Sequence, residues 1–386
     1  VYFDTQVPSS LTTYPPNAEY RGDLTNVTGT AIDNLRGGIS LVKWMMWRSG
    51  FYWNGSNWVA GSPPSDVDAN WFNADEISPS GGYNVTWKVY QGALPQASLG
   101  QLVDGTTYFV SSRAQDLVVD ANGVAAPNKE VVRSTITFIW DSGPPISTIT
   151  YPTNGGLISK QPPAFYGTMS DSLSGIDTND AGLTPSAGVA VMFFAKTGSY
   201  AGQYWRDGIG WVGTPWWNNA SYWVAGGTWS WTYSGSALPT GDYLIASRTR
   251  DKAKNIQTSY QVGFASNTVT VDADNPTSGI SKPNNDYYYK NLGTISGTAS
   301  DNMSGDKVYV SIQDLTRGTT FWSQVLSQWV NYSTYNTVGF AANWTLPVGA
   351  NNFTSGHRYR VKVYALDLAQ NVQPVPDDTD GGTYRR

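Results

Sequence analysis

One pattern of three landmarks recurs three times along the 386 residues. The first landmark is an Asp with a Pro four residues after it, the second is Gly-Thr-x-x-Asp, and the third is a Tyr eight residues before an Asp. The Asp residues of these landmarks are Asp4, Asp33 and Asp116, then Asp141, Asp171 and Asp251, then Asp272, Asp301 and Asp367. Because each copy presents the same pattern in the same order, we expect a tandem array of one structural unit.

The repeat divides the chain into three predicted domains, at residues 1–140, 141–271 and 272–386. The first copy is longer between Leu94 and Tyr108, and the second is longer between Ser172 and Gly188. Extra residues of this kind are typical of insertions in surface loops.

Short apolar runs with a period of two recur inside each copy. Residues 39–47, 189–195 and 307–312 follow the Gly-Thr-x-x-Asp motifs and are rich in β-branched and aromatic side chains. Residues 359–365 alternate apolar and polar side chains, as a half-buried strand does. Clusters of Gly, Pro, Asn and Asp separate the runs, and no segment has a helical period. The predicted fold class is therefore all-β, with three tandem Greek-key β-sandwiches of about seven strands each.

The segment Leu238–Tyr243, followed by Asp251-x-x-x-Asn255, resembles the penultimate strand of immunoglobulin-like (Ig-like) and fibronectin-III-like modules. The third copy matches this pattern with Asp367 and Asn371, whereas the first has Asp120 where the Asn is expected. The resemblance implies three tandem Ig-like modules in a linear array, of the kind found in large prokaryotic surface proteins. It also implies a tyrosine corner, in which the Tyr hydroxyl is tied to nearby backbone.

In an Ig-like sandwich the three landmark Asp residues of each copy are expected to meet at one pole, beside the domain junction. Two interpretations stay open. Each Asp can accept backbone N–H bonds within its own turn. Alternatively, the three carboxylates bind Ca²⁺, which takes six to eight hard oxygen ligands and would stiffen the junction. A further segment, Asp66-Val67-Asp68-Ala69-Asn70, has the first spacings of a calcium loop but lacks its Gly and its terminal Glu.

The chain contains 17 Trp, several of them clustered. Trp87 and Trp231 precede an Ala-Leu-Pro at the same spacing, so we predict that they anchor the cores. Trp216 and Trp217 stand in a loop-like context. The candidates for a surface that stacks on sugar rings or binds another subunit are Trp205, Trp211, Trp216 and Trp217. Ordinary core and loop packing is the alternative for all four.

The two ends of the chain differ from the internal junctions. Residues 372–386 contain no run rich in Val, Ile or Thr, whereas Val1-Tyr2-Phe3-Asp4 matches the segments that end at Asp141 and Asp272. Three explanations stay open: the chain is a piece of a longer array; a short last strand forms within 372–386; or Val1, Tyr2, Phe3 and Asp4 of one subunit complete the last sandwich of the next. The third would cover an open sheet edge and, being head-to-tail, would build a fibre.

Composition excludes several classes of function. The chain has no Cys and one His, His357, which excludes thiolate metal sites, cysteine nucleophiles and nearly all His-dependent catalysis. A net charge of -5 disfavours nucleic-acid binding. The longest apolar run, Val189–Ala195, is too short to span a membrane. With no phosphate-binding loop and no catalytic constellation, we expect neither an organic cofactor nor enzymatic activity.

Asn-x-Ser/Thr sequons mark candidate glycosylation sites, which have meaning only in a host that glycosylates exported proteins. They occur at Asn26, Asn54, Asn84, Asn219, Asn302, Asn331, Asn343 and Asn352. Together with the acidic, Thr/Ser/Asn/Tyr/Trp-rich composition, they favour an extracellular or cell-surface protein that is secreted and processed.

These observations predict a non-enzymatic, extracellular structural protein that self-assembles head-to-tail into a surface filament, sheath or stalk. Its partners would be copies of itself. The alternative is a carbohydrate-binding adhesin, or the accessory region of a secreted enzyme that acts on glycans; its partners would be surface glycans.

Overall fold

The computed structural model describes residues 3–33, 37–62, 71–159, 164–178, 188–235, 237–284, 287–318, 320–374 and 384–385. Their strands form six sheets in three pairs, and each pair lies within one of the predicted repeats. A separate hydrophobic core fills each pair. The all-β class and the tandem Ig-like sandwiches predicted from the sequence are thus confirmed.

The first sandwich has two sheets, in the orders β1-β3-β9-β8 and β2-β11-β10-β4-β5-β6, with β7 also paired to β4. Its strands are β1 (Ser9–Tyr14), β2 (Glu19–Arg21), β3 (Asn26–Ile32), β4 (Ile39–Arg48), β5 (Phe51–Trp53), β6 (Trp58–Ala60), β7 (Phe72–Asn73), β8 (Glu76–Ser78), β9 (Asn84–Tyr90), β10 (Thr107–Asp116) and β11 (Ser134–Trp140). Two 3₁₀ turns, Gln91–Ala93 and Ala97–Leu99, separate β9 from β10.

The second sandwich repeats this topology, with the orders β12-β14-β20-β19 and β13-β22-β21-β15-β16-β17, and with β18 paired to β15. Its strands are β12 (Ile146–Tyr151), β13 (Gly156–Ser159), β14 (Phe165–Ser170), β15 (Val189–Ala195), β16 (Tyr204–Arg206), β17 (Gly210–Val212), β18 (Asn218–Asn219), β19 (Ser221–Ala225), β20 (Thr228–Tyr233), β21 (Gly241–Thr249) and β22 (Ser266–Asp272).

The third sandwich has the orders β23-β24-β29 and β27-β26-β25-β30-β31, with β28 paired to β25. Its strands are β23 (Thr277–Lys282), β24 (Thr294–Ser300), β25 (Gly305–Asp314), β26 (Thr320–Ser323), β27 (Gln328–Val330), β28 (Asn336–Gly339), β29 (Trp344–Pro347), β30 (Tyr359–Asp367) and β31 (Tyr384–Arg385). A 3₁₀ turn, Ala350–Asn352, precedes β30. Every sandwich therefore has more strands than the expected seven, because the Trp-rich excursions form short strands of their own.

A Gly packed against a Trp holds the four-stranded sheet of the second sandwich together. A Cβ on Gly167 would lie 1.8 Å from the Thr148 carbonyl oxygen and 2.8 Å from the Trp231 ring. The Trp231 indole N–H donates to that same Thr148 carbonyl at 3.0 Å. Gly29 with Trp87 and Gly297 with Trp344 repeat the contact, which explains the Gly of the Gly-Thr-x-x-Asp motif. Trp87 and Trp231 are core residues, as predicted.

The tyrosine corner implied by the resemblance is present in each sandwich. The Tyr243 hydroxyl donates to the Pro239 carbonyl at 2.8 Å. The hydroxyls of Tyr108 and Tyr359 accept hydrogen bonds from the backbone amides of Val103 and Thr354, at 2.9 and 2.7 Å.

A buried carboxylate ties the two sheets of the first sandwich. Glu130 accepts hydrogen bonds from the backbone amides of Ser10 and Ala114, at 2.9 and 2.8 Å, and burial raises the pKa of its carboxyl. Gln257 and Gln373 take its place in the other two sandwiches. A neutral amide therefore fits this position without the cost of a buried charge.

We predict that Gly167→Ala destabilises the second sandwich by on the order of 2–3 kcal/mol, because the added methyl group collides with backbone. Gly213→Ala is the matched control, since nothing lies within 4 Å of its added Cβ. Chemical denaturation followed by Trp fluorescence measures both variants. Equal stability of the two variants would contradict this packing account.

We predict that Glu130→Gln raises the free energy of unfolding at pH 7. Because the pKa of Glu130 is higher in the folded state, wild-type stability from this group rises as the pH falls through that folded pKa. This stabilisation is fully present below the pKa that Glu130 has in the unfolded chain. The variant lacks it, because Gln does not titrate. Denaturation curves between pH 4 and 7 should therefore converge at low pH. A variant less stable than wild type at pH 7 would contradict this prediction and show that the folded protein stabilises the ionised Glu130 carboxylate.

Candidate functional site

Each sandwich brings its three landmark Asp residues together. One carboxylate oxygen from each residue of a trio lies within 4.8 Å of the other two. The trios are Asp4, Asp33 and Asp116; Asp141, Asp171 and Asp251; and Asp272, Asp301 and Asp367. Within each trio the first Asp precedes the first strand, the second follows the Gly-Thr strand and the third lies at the end of the Tyr strand, so the topology forces them to one pole. We call these groups the first, second and third Asp clusters.

Backbone and Asn donors occupy the second cluster. Asp141 accepts hydrogen bonds from the amides of Gly143 and Ser174, and Asp171 accepts them from the amides of Leu173 and Gly175. Both oxygens of Asp251 accept from Asn255, at 2.8 and 2.9 Å. Burial raises the pKa of Asp251 to about 6, against the hydrogen bonds from Asn255, and the charges of Asp141 and Asp171 raise it further. This cluster fits the turn interpretation of the sequence.

The third cluster has fewer donors. Asp272 is fully buried; its Oδ1 accepts from the Asp274 amide at 3.2 Å, while its Oδ2 accepts no hydrogen bond from the described residues. Asp301 Oδ1 is also buried without such a partner. Burial raises the pKa of Asp272 against hydrogen bonds from the Asp274 amide and the Asn302 side chain, and the charges of Asp301 and Asp367 add to the shift. Buried carboxylate oxygens without donors are the ligands that a hard cation such as Ca²⁺ prefers.

The first cluster shares this character. The Oδ2 atom of Asp4 is buried and accepts no hydrogen bond from the part of the chain that the structure describes. A Cβ on Gly37 would lie 2.9 Å from both Asp4 Oδ2 and Asp33 Oδ2. The Gly therefore leaves room beside the two carboxylates that any other residue would fill.

The Asn that accompanies each cluster lies elsewhere than expected in the first sandwich. Asn128, not residue 120, donates to Asp116 Oδ2 at 2.7 Å and to the Asp4 carbonyl at 3.3 Å. Asn255 and Asn371 make the equivalent bonds to the Asp141 and Asp272 carbonyls.

Residues 117–127 form an inserted excursion that displaces this Asn along the sequence. Within it, Asp120 accepts hydrogen bonds from the amides of Asn122 and Val124. A signal was present in the sequence: Asn128 stands two residues before Glu130, as Asn255 stands before Gln257 and Asn371 before Gln373.

Direct hydrogen bonds cross both internal junctions. The Gly22 amide donates to the Ala253 carbonyl at 3.1 Å. At the next junction, the Thr240 hydroxyl donates to Asp274 Oδ2 at 2.8 Å. Each junction Asp is therefore embedded in contacts between the sandwiches on either side of it.

The four candidate Trp residues do not form one platform. Trp205 and Trp211 pack edge-to-face against each other. Both also pack, partly buried, against the second core. Trp217 lies beside Tyr260, with the Arg248 guanidinium 4.2 Å from its ring centroid. Trp216 is 37% exposed, but the Arg206 guanidinium lies 3.8 Å from its ring centroid and covers one face. Sugar binding at these residues stays a prediction.

The sequons lie mostly at the surface. Asn26 and Asn352 are partly buried, and the other six, Asn54, Asn84, Asn219, Asn302, Asn331 and Asn343, are exposed. Asp66–Asn70, the segment with calcium-loop spacing, lies outside the described residues, as do Val1 and Tyr2.

The third sandwich has a short last strand. β10 and β21 each pair six residues with the strand that follows, whereas within the described residues β30 pairs Val361 and Lys362 with Arg385 and Tyr384 of β31. The expectation that a short last strand forms within 372–386 is therefore met.

The last strand contributes to the core in the first two sandwiches. The last strands of the first two sandwiches contribute Phe138 and Trp140, and Val269 and Val271, to their cores. Across the described ranges, the third core contains no residue after Ala365. At the other end of the chain, Phe3 is 88% exposed.

Within the ranges that the structure describes, no helix is long and apolar enough to cross a membrane. No family model and no curated protein matches the sequence. Among solved structures, the FN1-FN3 domains of chicken CNTN1 are 13% identical over 95% of this chain and 95% of theirs, with a TM-score of 0.28. Fibronectin(III)-like modules of Clostridium thermocellum CbhA are 13% identical over 73% of this chain and 100% of theirs, with a TM-score of 0.30. Likeness at this level carries no argument about function.

Proposed function

We propose that this chain is a non-enzymatic, extracellular structural protein, the subunit of a cell-surface filament, sheath or stalk that assembles head-to-tail. The supporting observation is that Val1-Tyr2-Phe3-Asp4 matches in sequence the segments that complete the first two sandwiches and end at Asp141 and Asp272. Each Asp cluster recurs once per sandwich at a junction, which suits a structural role better than a single catalytic centre.

In this proposal, residues 1–4 of one copy complete the last sandwich of the next. In the first two sandwiches the Tyr of the corner pairs with the residue three before the junction Asp, as Tyr108 does with Phe138 and Tyr243 with Val269. The residue three before Asp4 is Val1. Val1 of a second copy therefore suits the place opposite Tyr359.

The donated strand would add apolar side chains to the third core. Val1 would take the position of Phe138 and Val269, and Phe3 that of Trp140 and Val271, all of which are buried. Burial of each side chain contributes about 1.5–3 kcal/mol, before the cost of ordering the segment. Because the donor and the acceptor are different surfaces, the contact repeats without closing and builds a filament.

We propose further that Ca²⁺ binds the first and third Asp clusters. A divalent cation would neutralise carboxylates that otherwise repel one another, and it would use the oxygens of Asp272 and Asp301 that have no donors. The first cluster would then lie at the joint between two copies and the third at a joint within one copy. The second cluster is already satisfied by protein donors.

We predict that Phe3→Asp abolishes end-to-end assembly while leaving the single chain folded, because it places a charge in the acceptor's core. Tyr2→Asp is the matched control, since Tyr2 corresponds to Ile139 and Thr270, which are not fully buried. Negative-stain electron microscopy of wild type and Tyr2→Asp should show filaments, and that of Phe3→Asp should show isolated particles. Filaments of normal length from Phe3→Asp would refute strand exchange.

We predict that Ca²⁺ raises the melting temperature of the wild-type chain, and that a chelator reverses the effect. Asp301→Asn should weaken the response, because it removes a ligand of the third cluster. Asp306→Asn is the control, because Asp306 lies outside the cluster and contacts Lys307. Equal shifts in the melting temperature of both variants would contradict Ca²⁺ binding at the third cluster and favour the turn interpretation.

A further inference from the structure

One outer sheet surface of the second sandwich carries two exposed aromatic side chains. In the sheet β12-β14-β20-β19, Trp223 of β19 is 47% exposed and Tyr166 of β14 is 42% exposed. Phe165 of β14 and Trp231 of β20 point the other way, into the second core. Because side chains alternate along a strand, the strand register gives the outward-facing neighbours of the two aromatic residues. These neighbours are Thr168, Ser221, Ser230 and Thr232. We call the six residues the Trp223 face.

The two aromatic residues lie at diagonal corners of this face. Trp223 pairs with Ser230, and Ser230 in turn pairs with Thr168. Tyr166 lies two residues before Thr168 and pairs with Thr232. With about 4.8 Å between strands and about 3.3 Å per residue along a strand, the Cα atoms of Trp223 and Tyr166 are about 12 Å apart. A disaccharide unit of an extended glycan has a similar length, so the two rings suit alternate sugar units.

Regular strands hold both aromatic side chains in place. The hairpin of β19 and β20 turns at Gly226 and Gly227, whose positive φ angles of 57° and 81° fit a two-residue type I′ turn. The Tyr166 ring stacks on Tyr151 of β12, with 5.4 Å between the ring centroids and 16° between the planes. A ligand therefore meets rings that need little further ordering, which lowers the entropic cost of binding.

The fold does not require aromatic residues at these two positions. The first sandwich contains the equivalent sheet, with the same contact between a Gly and a Trp. Counted from that contact, Thr28 takes the place of Tyr166, and Ser78 takes the place of Trp223. Small hydroxyl side chains therefore complete the sheet at both positions. The two exposed rings are a property of the second sandwich alone in this comparison.

The chemistry of the face suits an uncharged, hydroxylated ligand. The four strands of the sheet contain no Asp, Glu, Lys, Arg or His, so a charged polymer finds no opposite charge on them. Ser230 and Thr232 lie on the strand between the two rings. A protein interface usually has an apolar centre and a polar rim, which is the reverse of this arrangement. A sugar ring packs its C–H groups on an aromatic ring and exchanges hydrogen bonds with side-chain hydroxyls.

We propose that the Trp223 face binds an uncharged, extended glycan. Its sugar rings stack on Trp223 and Tyr166, and its hydroxyl groups form hydrogen bonds with Ser230 and Thr232. The site lies on strands of the second sandwich and does not depend on head-to-tail assembly. The glycan site and the proposed function can therefore fail separately.

Isothermal titration calorimetry of the full chain with defined oligosaccharides tests this site. The uncharged probes are cellohexaose, chitohexaose, mannohexaose and xylohexaose, and hexagalacturonate is the anionic probe. Trp223→Ser and Tyr166→Thr introduce the side chains that the first sandwich has at these positions, so both variants are expected to fold. Tyr332→Ser, at an exposed Tyr of the third sandwich, is the matched control.

We expect at least one uncharged hexasaccharide to bind wild type and Tyr332→Ser equally. Each variant of the Trp223 face should bind it about tenfold more weakly, because one stacking contact is lost. The corresponding disaccharide should also bind more weakly, since it is too short to reach both rings.

Equal affinity of the two face variants and the control would place sugar binding elsewhere and overturn the inference. Binding of hexagalacturonate alone would also overturn it, because the face offers no charge. No binding of any uncharged hexasaccharide by the folded wild-type chain would overturn it as well and would leave a protein partner as the occupant to test.

Discussion

The last strand of each sandwich and the Asp that begins the next are one continuous piece of chain, and the rest of the structure depends on this coupling. Trp140 fills the first core, and the residue after it, Asp141, belongs to the second cluster. Val271 and Asp272 repeat the arrangement one sandwich later. Neither core can therefore be completed without also fixing the junction beside it. The proposed assembly extends this coupling from one chain to the next.

The Asp clusters differ in how much of their charge the protein satisfies itself. The turn after Asp171 donates the amides of Leu173 and Gly175 into the second cluster. Among the described residues, Asp301 accepts a backbone hydrogen bond from Met303, and Asp272 keeps one oxygen without a donor. The same landmark residues therefore form clusters that differ in their number of hydrogen-bond donors, because the turn that follows each landmark decides how many donors reach its carboxylate.

Much of this architecture could be predicted from the sequence, since repeated spacing fixes which strands recur and topology then brings the landmark Asp residues together. The displacement of Asn128 could not be read from the Asp-x-x-x-Asn pattern, because an inserted excursion conserves the contact in space and not the spacing in sequence. The packing of Trp205 and Trp211 was also hidden, because a Trp-rich segment looks alike whether it stacks on a core or faces solvent.

Amide hydrogen exchange on the wild-type chain, diluted to single particles and then assembled, tests the central claim most directly. The account predicts that the backbone at the start of β30 becomes protected on assembly, together with residues 1–4. Its counterpart in the second sandwich, the start of β21, should stay unchanged because it already pairs with β22. Assembly with no new protection at the start of β30 would contradict the account.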